Sequence, residues 1–260
     1  MTSCNLASDI LSYRGGIAKN NLIQIFEDMD NFEDTLASCA ESPYFDMQDV
    51  GPYIEKFKDK FVVLDTNIQS LNAKFDTFTL FLDQLASHDF YFSAICIQET
   101  WVNNSLQFET LHIPNYQTVF LPPTCSSHGG LVIYIHNSYQ YKKLDLYTPS
   151  PVYEGLFLEI YGGGLPRKLV LANIYRPPRD KNCDLKCFLD IFTPVLSNIT
   201  NNNHDCVITG DFNINLLNIE TRTLYSEYIE LLYSFSFVST VSLPTRLSRR
   251  SATLIDHIFL

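Results

Sequence analysis

The segment VITGDFNINLL (207–217) places an acid and an amide, Asp211 and Asn213, directly behind a run of apolar residues. Because residues two apart in an extended strand point the same way, both side chains would face one site at the strand's end. Gly210 leaves the backbone free to turn or to approach a neighbour closely. This layout suits a metal-assisted reaction on a phosphate, although a strand that runs into a polar turn would show the same pattern.

Other predicted strands also end in polar residues that a strand does not itself require. Asn67 closes VVLDTN, Glu99 closes AICIQE and Tyr175 closes LVLANIY. The carboxyl ends of strands are where α/β sheets build their sites. Taken singly, each of these residues is better explained as a turn former or as part of the core, so a site is indicated only by the set.

An acid also lies in the middle of the predicted strand LIDHIF (254–259). Burying Asp256 there is costly unless it has a partner, which an internal hydrogen bond could supply. Its neighbour His257 should point to the opposite face of the strand. We interpret His257 as a structural histidine with satisfied hydrogen bonds rather than as a general base.

The elements that would position these residues follow from the apolar periodicity. Strands are predicted at 61–67, 92–99, 129–135, 155–161, 168–175, 206–211 and 253–260. Helices are predicted at 75–86, at 184–199 and near 221–234. Many strands follow one another without a helix between them, so a mixed sheet or a pair of sheets with flanking helices fits better than a Rossmann-like fold.

Residues 1–58 differ from the rest, since acids are interspersed with small polar residues and no strand pattern emerges. We predict an acidic leader that is partly disordered or forms short helices near 21–38 and 51–58. Residues 59–260 would then form the folded domain.

The composition is that of a soluble globular protein, with 46% hydrophobic and 18% charged residues. No apolar stretch approaches the roughly 18–20 residues of a membrane helix, and the N-terminus lacks the basic start and apolar core of a secretory signal. The seven cysteines form no Cys-x-x-Cys pair, and Cys183 and Cys187 lack the further ligands of a zinc site. We therefore predict an intracellular protein with reduced thiols, no membrane partner and no small organic cofactor.

The net charge is −11, whereas proteins that hold nucleic acid usually present a positive face to the phosphates. The first 60 residues carry 11 of the 29 acids and only 5 of the 18 bases. The remainder is mildly acidic, and its bases cluster in two loops. These are Arg176, Arg179 and Lys181 in one loop, and Arg246, Arg249 and Arg250 in the other. A local basic rim is compatible with DNA binding, although the overall charge counts against tight binding.

Six blocks of the sequence, in order, resemble those of the endonuclease/exonuclease/phosphatase superfamily. They are NIQSLN (67–72), IQETW (97–101), GGLVIYI (129–135), NIYRPP (173–178), ITGDFNIN (208–215) and LIDHIF (254–259). The chain most resembles the apurinic/apyrimidinic-endonuclease-like domain of LINE-type, non-LTR retrotransposons, from roughly residue 61 to the end. The resemblance implies a four-layer α/β sandwich, in which two mixed β-sheets are flanked by helices, with a divalent-metal site at one edge.

The resemblance also implies roles for the polar residues at the strand ends. Glu99 would bind Mg²⁺, or Mn²⁺ in its place, and Asn67 would help to order that metal and the scissile phosphate. Asp211 would orient or deprotonate the attacking water, and Asn213 would hold a phosphate oxygen. Tyr175 would hydrogen-bond the phosphate or stabilise charge as the P–O bond breaks.

Three further assignments come with the resemblance. Asp256 would fix the tautomer of a catalytic histidine, and Arg176 and Arg246 would contact nucleic acid. The implied partner is DNA, so the protein would act in the nucleus, and its oligomeric state stays open.

The sequence departs from the family pattern in two places. The family's catalytic histidine, beside an Asp that is usually a second metal ligand, follows the LIDHIF strand by some tens of residues, and this sequence stops at Leu260. We therefore expect a C-terminally truncated domain without its last strand or two, with an unpaired sheet edge and an open core. Gln69 stands where repair relatives carry an acid, which argues against a repair enzyme.

Three functions fit these observations. The resemblance favours a Mg²⁺-dependent phosphodiester hydrolase, the DNA-nicking endonuclease domain of a non-LTR retrotransposon. The first alternative is a catalytically inactive fragment of such a domain, because losing a general base costs about 10²–10⁴-fold in rate. The second is a superfamily phosphatase or phosphodiesterase acting on inositol phosphates or lipids, which the acidic charge favours slightly.

Overall fold

The computed structural model describes residue 44 and residues 51–124, 128–148, 150–178, 185–200, 205–248 and 251–260. Its strands are β1 (Val63–Asn67), β2 (Ala94–Gln98), β3 (Tyr116–Leu121), β4 (Leu131–His136), β5 (Tyr139–Leu144), β6 (Glu154–Gly162), β7 (Leu169–Tyr175), β8 (Asp205–Asp211), β9 (Arg246–Leu247), β10 (Ala252–Thr253) and β11 (Asp256–Phe259). Its helices are α1 (Gly51–Phe57), α2 (Leu71–Ala86), α3 (Ser105–Thr110), α4 (Leu185–Thr200) and α5 (Thr223–Ser234), with a 3-10 helix at Leu216–Thr221. The helix predicted near 21–38 lies outside the described residues. None of the described helices is long and apolar enough to cross a membrane.

The first sheet has the strand order β1-β2-β4-β3. β1 and β2 are parallel, since α2 carries the chain back between them, and β4 is antiparallel to both β2 and β3. α2 packs on one face of this sheet through a stripe of apolar residues at helical spacing. The stripe comprises Leu71, Phe78, Phe81, Leu82 and Leu85.

The second sheet has the order β11-β8-β7-β6-β5, in which β7 and β8 are parallel and the other neighbours are antiparallel. α4 connects the parallel pair, and α5 packs beside α4. Phe188 and Phe192 of α4 stack with their ring centroids 5.0 Å apart, and both contact Tyr153 and Phe212. Burial of each such ring contributes about 1.5–3 kcal/mol, so this aromatic cluster anchors the helix layer.

The two sheets face each other across a shared apolar core. Alternate side chains of a strand point in opposite directions. Leu64 and Ile95 therefore belong to the core under α2, whereas Val63 and Ala94 belong to the core shared with the second sheet. This arrangement confirms the predicted α/β sandwich of two mixed sheets flanked by helices.

The predicted strands and helices are present in the described residues, with small shifts at their ends. The helix predicted at 75–86 begins four residues earlier, at Leu71. β3 and β5 were not predicted because polar residues interrupt their sequences, YQTVFL and YQYKKL, and few of their side chains are fully buried. Both lie at sheet edges, where a strand needs no two-sided apolar pattern and where charged residues discourage further pairing.

The outer edge of β11 is hydrogen-bonded along residues 258–260. Val238 and Leu260 exchange two backbone hydrogen bonds, and Thr240 N donates to Ile258 O. Phe259 is fully buried. The expectation of an unpaired edge is therefore wrong for this stretch, because residues 238–240, which were not predicted as a strand, pair with it.

Candidate active site

Polar side chains from both sheets meet at one end of the space between them. Asn67 ends β1 and Glu99 follows β2, while Tyr175 and Asp211 end the parallel strands β7 and β8 in register with each other. Asp256 begins β11 opposite Asp211. Because the carboxyl ends of parallel strands share an edge, the strand-end residues predicted as site residues come together here.

The side chain of Asn67 joins two acids at the centre of this site. Its Nδ2 donates to Glu99 Oε1 and to Asp211 Oδ2, each across 2.7 Å. Glu99 and Asp211 are both buried. The two hydrogens of one amide group therefore hold two carboxylates of different sheets side by side.

Glu99 is held in an unusual backbone conformation. Its φ of 51° lies in the left-handed region, as does that of Trp101 at 54°, and such conformations cost about 1–3 kcal/mol each for residues other than glycine. The indole Nε1 of Trp101 donates to Glu99 Oε2 across 3.2 Å. Both carboxylate oxygens of Glu99 thus accept a hydrogen bond from a neighbouring side chain.

Tyr175 lies next to the acids and keeps its proton. Burial raises the pKa of its hydroxyl far above the usual range, and the charges of Glu99, Asp211 and Glu154 raise it further. The protonated hydroxyl is hydrogen-bonded with Glu99. It is therefore a hydrogen-bond donor at every pH at which the protein would work.

Asp211 and Asp256 form a close pair of acids. Burial raises the pKa of Asp211 well above its usual value, and the charge of Asp256 adds to the effect. Burial likewise raises the pKa of Asp256, against which a hydrogen bond with Thr245 and the charge of Arg246 act. A carboxylate with a raised pKa is a stronger base, which suits a group that takes a proton from water.

Asn213 lies just beyond the end of β8. Its φ is 51°, so the chain has left the strand, and its backbone N–H donates to Asp211 Oδ1 across 3.0 Å. Its side-chain Nδ2 donates to the carbonyl of Arg176 across 2.8 Å. Asp211 and Asn213 share one site, as predicted, but through a tight turn rather than through the alternation of a strand.

Gly210 makes this turn possible. Its φ is 140°, and a Cβ at this position would overlap the backbone carbonyl of Ile174 on the neighbouring strand. Only glycine lets β8 approach β7 so closely just before Asp211.

The two arginines predicted to contact nucleic acid differ in their surroundings. Arg176 is only 9% exposed, and its guanidinium donates to Phe212 O and lies over the ring of Phe188, 5.7 Å from the centroid. Arg246 is exposed and lies beside Asp256. Arg246 is therefore the better placed of the two to meet a ligand, and Arg179, Lys181, Arg249 and Arg250 lie outside the described residues.

His257 points away from the site, into the core. It is fully buried, its ring stacks on that of Phe212, and Nε2 contacts Leu254 O at 3.2 Å. Its Nδ1 lies 3.1 Å from the hydroxyl of Tyr228. His257 is a structural histidine with satisfied hydrogen bonds, as the sequence indicated.

A second layer of polar residues, which was not predicted from the sequence, lies one step deeper. Gln98 Nε2 donates to Asp65 Oδ1 and to Asn173 Oδ1, each across 2.7 Å. Burial raises the pKa of Asp65 to about 8, and the charge of Asp256 contributes. Strand alternation is the signal that could have found this layer, because Asp65 and Asn173 each lie two residues before a strand-end residue of the site.

The residues present fit a magnesium ion. Asn67 Oδ1 is buried without a hydrogen-bond partner in the described part of the chain, and it belongs to the same amide whose nitrogen contacts Glu99. Mg²⁺ prefers oxygen ligands, keeps several waters and is commonly bound by only one or two carboxylates. The described residues contain no cluster of three or more His, Cys, Asp or Glu residues that could hold a metal.

Comparisons with known proteins agree on the family and the fold. The sequence model of the Endonuclease/Exonuclease/phosphatase family matches residues 66–260. No curated protein sequence matches the chain.

Three solved structures illustrate the fold similarity. An AP endonuclease from Leishmania major superposes with a TM-score of 0.54 at 13% identity, covering 76% of this chain and 78% of that one. A mannosyl-6-phosphatase from Bacteroides thetaiotaomicron gives 0.53 at 14% identity, covering 76% and 84%. A 3′ phosphatase from Neisseria bound to a product DNA hairpin gives 0.51 at 14% identity, covering 76% and 85%. At these identities the likeness shows the shared fold.

Proposed function

The chain belongs to the Endonuclease/Exonuclease/phosphatase family, and on that premise we propose that it is a Mg²⁺-dependent phosphodiester hydrolase that nicks DNA. One observation carries the proposal, namely the Asn67 amide that holds Glu99 and Asp211 side by side at 2.7 Å each. Such a site offers a cation-binding carboxylate next to a proton acceptor, which metal-assisted hydrolysis of a phosphate ester requires.

Glu99 and the side-chain oxygen of Asn67 would hold the metal. When bound, Mg²⁺ offsets the negative charge that grows on the phosphate in the transition state. The carboxylate of Glu99 is buried and receives hydrogen bonds from Asn67 and Trp101, so its orientation is fixed before any ligand arrives. A fixed carboxylate loses little conformational entropy on binding.

The remaining residues would serve the water and the phosphate. Asp211, with its raised pKa, would orient the attacking water and accept its proton. Tyr175 keeps its proton and would donate to a phosphate oxygen, and Asn213, anchored at the carbonyl of Arg176, would bind beside it. Asp256 would keep a second negative charge next to Asp211, which sustains the raised pKa of that base.

The proposed substrate is DNA, and the proposed setting is the endonuclease domain of a non-LTR retrotransposon acting in the nucleus. The NIYRPP and LIDHIF blocks support this branch of the family. Two of the structures with this fold, an AP endonuclease and a phosphatase bound to a DNA hairpin, are DNA-directed enzymes. The exposed Arg246 beside Asp256 would supply a phosphate contact at the rim.

A phosphatase or phosphodiesterase of small esters, such as inositol phosphates or lipids, is the second candidate. The net charge of −11 and the burial of Arg176 favour it, because both reduce the positive surface that a DNA duplex would meet. Incubating the purified chain with supercoiled plasmid and, separately, with inositol phosphates and phospholipids in Mg²⁺ distinguishes the two. Plasmid nicking without ester hydrolysis supports the nuclease, and the reverse pattern supports the phosphatase.

A further inference from the structure

Glu154 is a buried acid that the proposed reaction does not use. It begins β6 opposite Tyr175 and is only 2% exposed. Its Oε1 accepts from the backbone N–H of Thr124 across 2.7 Å and from the Thr124 hydroxyl across 2.9 Å, and its Oε2 accepts from Gly130 N across 2.6 Å. These three hydrogen bonds offset the cost of burying the carboxylate, and they tie it to Thr124 and to Gly130.

Gly129 and Gly130 fit closely between Glu154 and the chain after β2. Their φ values are 99° and 83°, in the region that favours glycine. A Cβ on Gly129 would lie 2.7 Å from Glu154 Oε1, and a Cβ on Gly130 would overlap the hydroxyl of Thr100. The close packing transmits any displacement of Glu154 to residues 99–101.

Backbone hydrogen bonds complete this connection. Trp101 N donates to Gly129 O across 3.0 Å, and Thr100 N donates to Gly130 O across 3.1 Å. The carbonyls of Glu99 and Thr100 accept in turn from the first residues of α2 and its N-cap. Residues 99–101 are thus held between α2 on one side and the two glycines on the other.

This support matters because residues 99–101 are strained. Glu99 and Trp101 both have left-handed φ values. Residues other than glycine keep such a conformation only when several contacts with the surrounding structure hold the backbone in place. Glu154 is the carboxylate behind that support, and Gly129 and Gly130 connect it to the backbone of residues 99–101, which carries Glu99 and the Trp101 indole.

We propose that Glu154 is a positioning residue for Glu99, fixing through Gly129–Gly130 the backbone and the indole that orient the metal-binding carboxylate. The inference rests on the proposed function in one respect, that Glu99 is a metal ligand. Residues that orient a ligand in this way typically contribute a factor of about 10–100 to metal affinity.

The substitution Glu154→Gln tests this role with little change in shape. It replaces one acceptor oxygen by an NH₂ group, which would face the N–H of Gly130 or of Thr124, so one donor loses its partner. Glu159→Gln is the matched control, because Glu159 lies on the same strand, carries the same charge and makes a salt bridge with Lys168 at 2.8 Å instead. Both variants change the net charge equally.

Mg²⁺ binding to the full chain should be measured directly by titration calorimetry and by the fluorescence of Trp101, the single tryptophan of the sequence. We expect the dissociation constant for Mg²⁺ to rise about 10–100-fold in Glu154→Gln and to stay within twofold of the parent in Glu159→Gln. We also expect the Trp101 emission of metal-free Glu154→Gln to shift, because the indole is repositioned. Thr124→Val removes only the hydrogen bond from the Thr124 hydroxyl, so it should weaken Mg²⁺ binding less than Glu154→Gln does. It replaces Glu154→Gln as the test variant if Glu154→Gln does not fold.

Glu99→Gln separates this inference from the proposed function. If Glu99→Gln abolishes Mg²⁺ binding while Glu154→Gln, or Thr124→Val in its place, binds like the parent, Glu154 is not a positioning residue although the metal site stands. If the parent binds no Mg²⁺, or if Glu99→Gln binds it unchanged, the proposed metal site is wrong. The proposed role of Glu154 is then wrong as well.

Discussion

The side-chain amide of Asn67 donates to Oδ2 of Asp211 across 2.7 Å, although the two residues are 144 positions apart in the sequence. Asn67 ends the first strand of one sheet and Asp211 ends a central strand of the other. The bond therefore forms only when both sheets are complete and stacked in register. The site is therefore assembled only where the two sheets pack against each other.

Asn67→Ala should destabilise the protein by about 1–3 kcal/mol, because two buried carboxylates lose their shared donor. Urea unfolding of the parent and the variant in EDTA measures the difference. The double variant Asn67→Ala/Asp211→Ala is the control, since it removes one of the acids as well and should recover part of the loss. Equal stability of parent and Asn67→Ala would mean that the amide does not bridge the acids.

Asp211→Asn should lower kcat by about 10²–10⁴-fold. Loss of the buried charge should offset part of the stability that is lost when the N–H of Asn67 or of Asn213 faces the new NH₂ group. Burial and the charge of Asp256 raise the pKa of Asp211, which means that its charge opposes folding near neutral pH. Asp205→Asn, at the opposite end of the same strand, is the matched control and should retain full activity. If Asp211→Asn and Asp205→Asn are equally active, Asp211 takes no part in the reaction.

His257 should make the protein less stable as the pH falls from 6.5 towards 4. Burial lowers the pKa of its imidazole to about 4, so between these values the unfolded chain binds a proton that the folded chain does not. Stability is then fully present above pH 6.5 and falls by about 1.4 kcal/mol per pH unit below it, or about 2 kcal/mol by pH 5.

His257→Phe tests this pH dependence. At pH 7 the variant should be less stable, because the buried hydroxyl of Tyr228 loses its partner. The difference between parent and variant should shrink by about 2 kcal/mol at pH 5 in urea unfolding, since only the parent carries the imidazole. A difference that is the same at pH 5 and pH 7 would show that His257 titrates normally.

Arg246→Gln should weaken DNA binding for all sequences alike and reduce the slope of log K against log salt by about 1, as expected for a phosphate contact. Binding is measured by fluorescence anisotropy in EDTA, so that cleavage does not interfere. Lys168→Gln is the control, because Lys168 directly precedes β7, whose far end carries the site. An unchanged slope for Arg246→Gln would remove this arginine from the interface.

The sequence was informative where a polar residue interrupts or ends an apolar strand. The strand ends at Asn67, Glu99, Tyr175 and Asp211 indicated where a site could lie, and the resemblance of the surrounding blocks to a known family grouped them into one site. The turn at Gly210 was also foreseeable, since no other residue adopts its conformation without strain.

The rest depends on contacts between sheets, which local patterns do not encode. Gln98 resembles any polar residue before a turn until Asp65 and Asn173 are found on either side of it. Glu154 starts a strand, and its role becomes visible only once Gly130 and Thr124 are seen to donate to it. Residues 238–240 likewise pair with β11 through backbone hydrogen bonds, and no apolar run in the sequence marks this segment as a strand.

Plasmid nicking tests the central claim most directly. Supercoiled DNA is incubated with the purified, folded chain in Mg²⁺ and in EDTA, beside Glu99→Ala and Asp211→Ala. We predict nicking that requires Mg²⁺ and is lost in both variants, while circular dichroism and cooperative melting show that both remain folded. A folded parent chain that leaves the plasmid supercoiled in Mg²⁺ would contradict the proposal and would identify the chain as a catalytically inactive form of the domain.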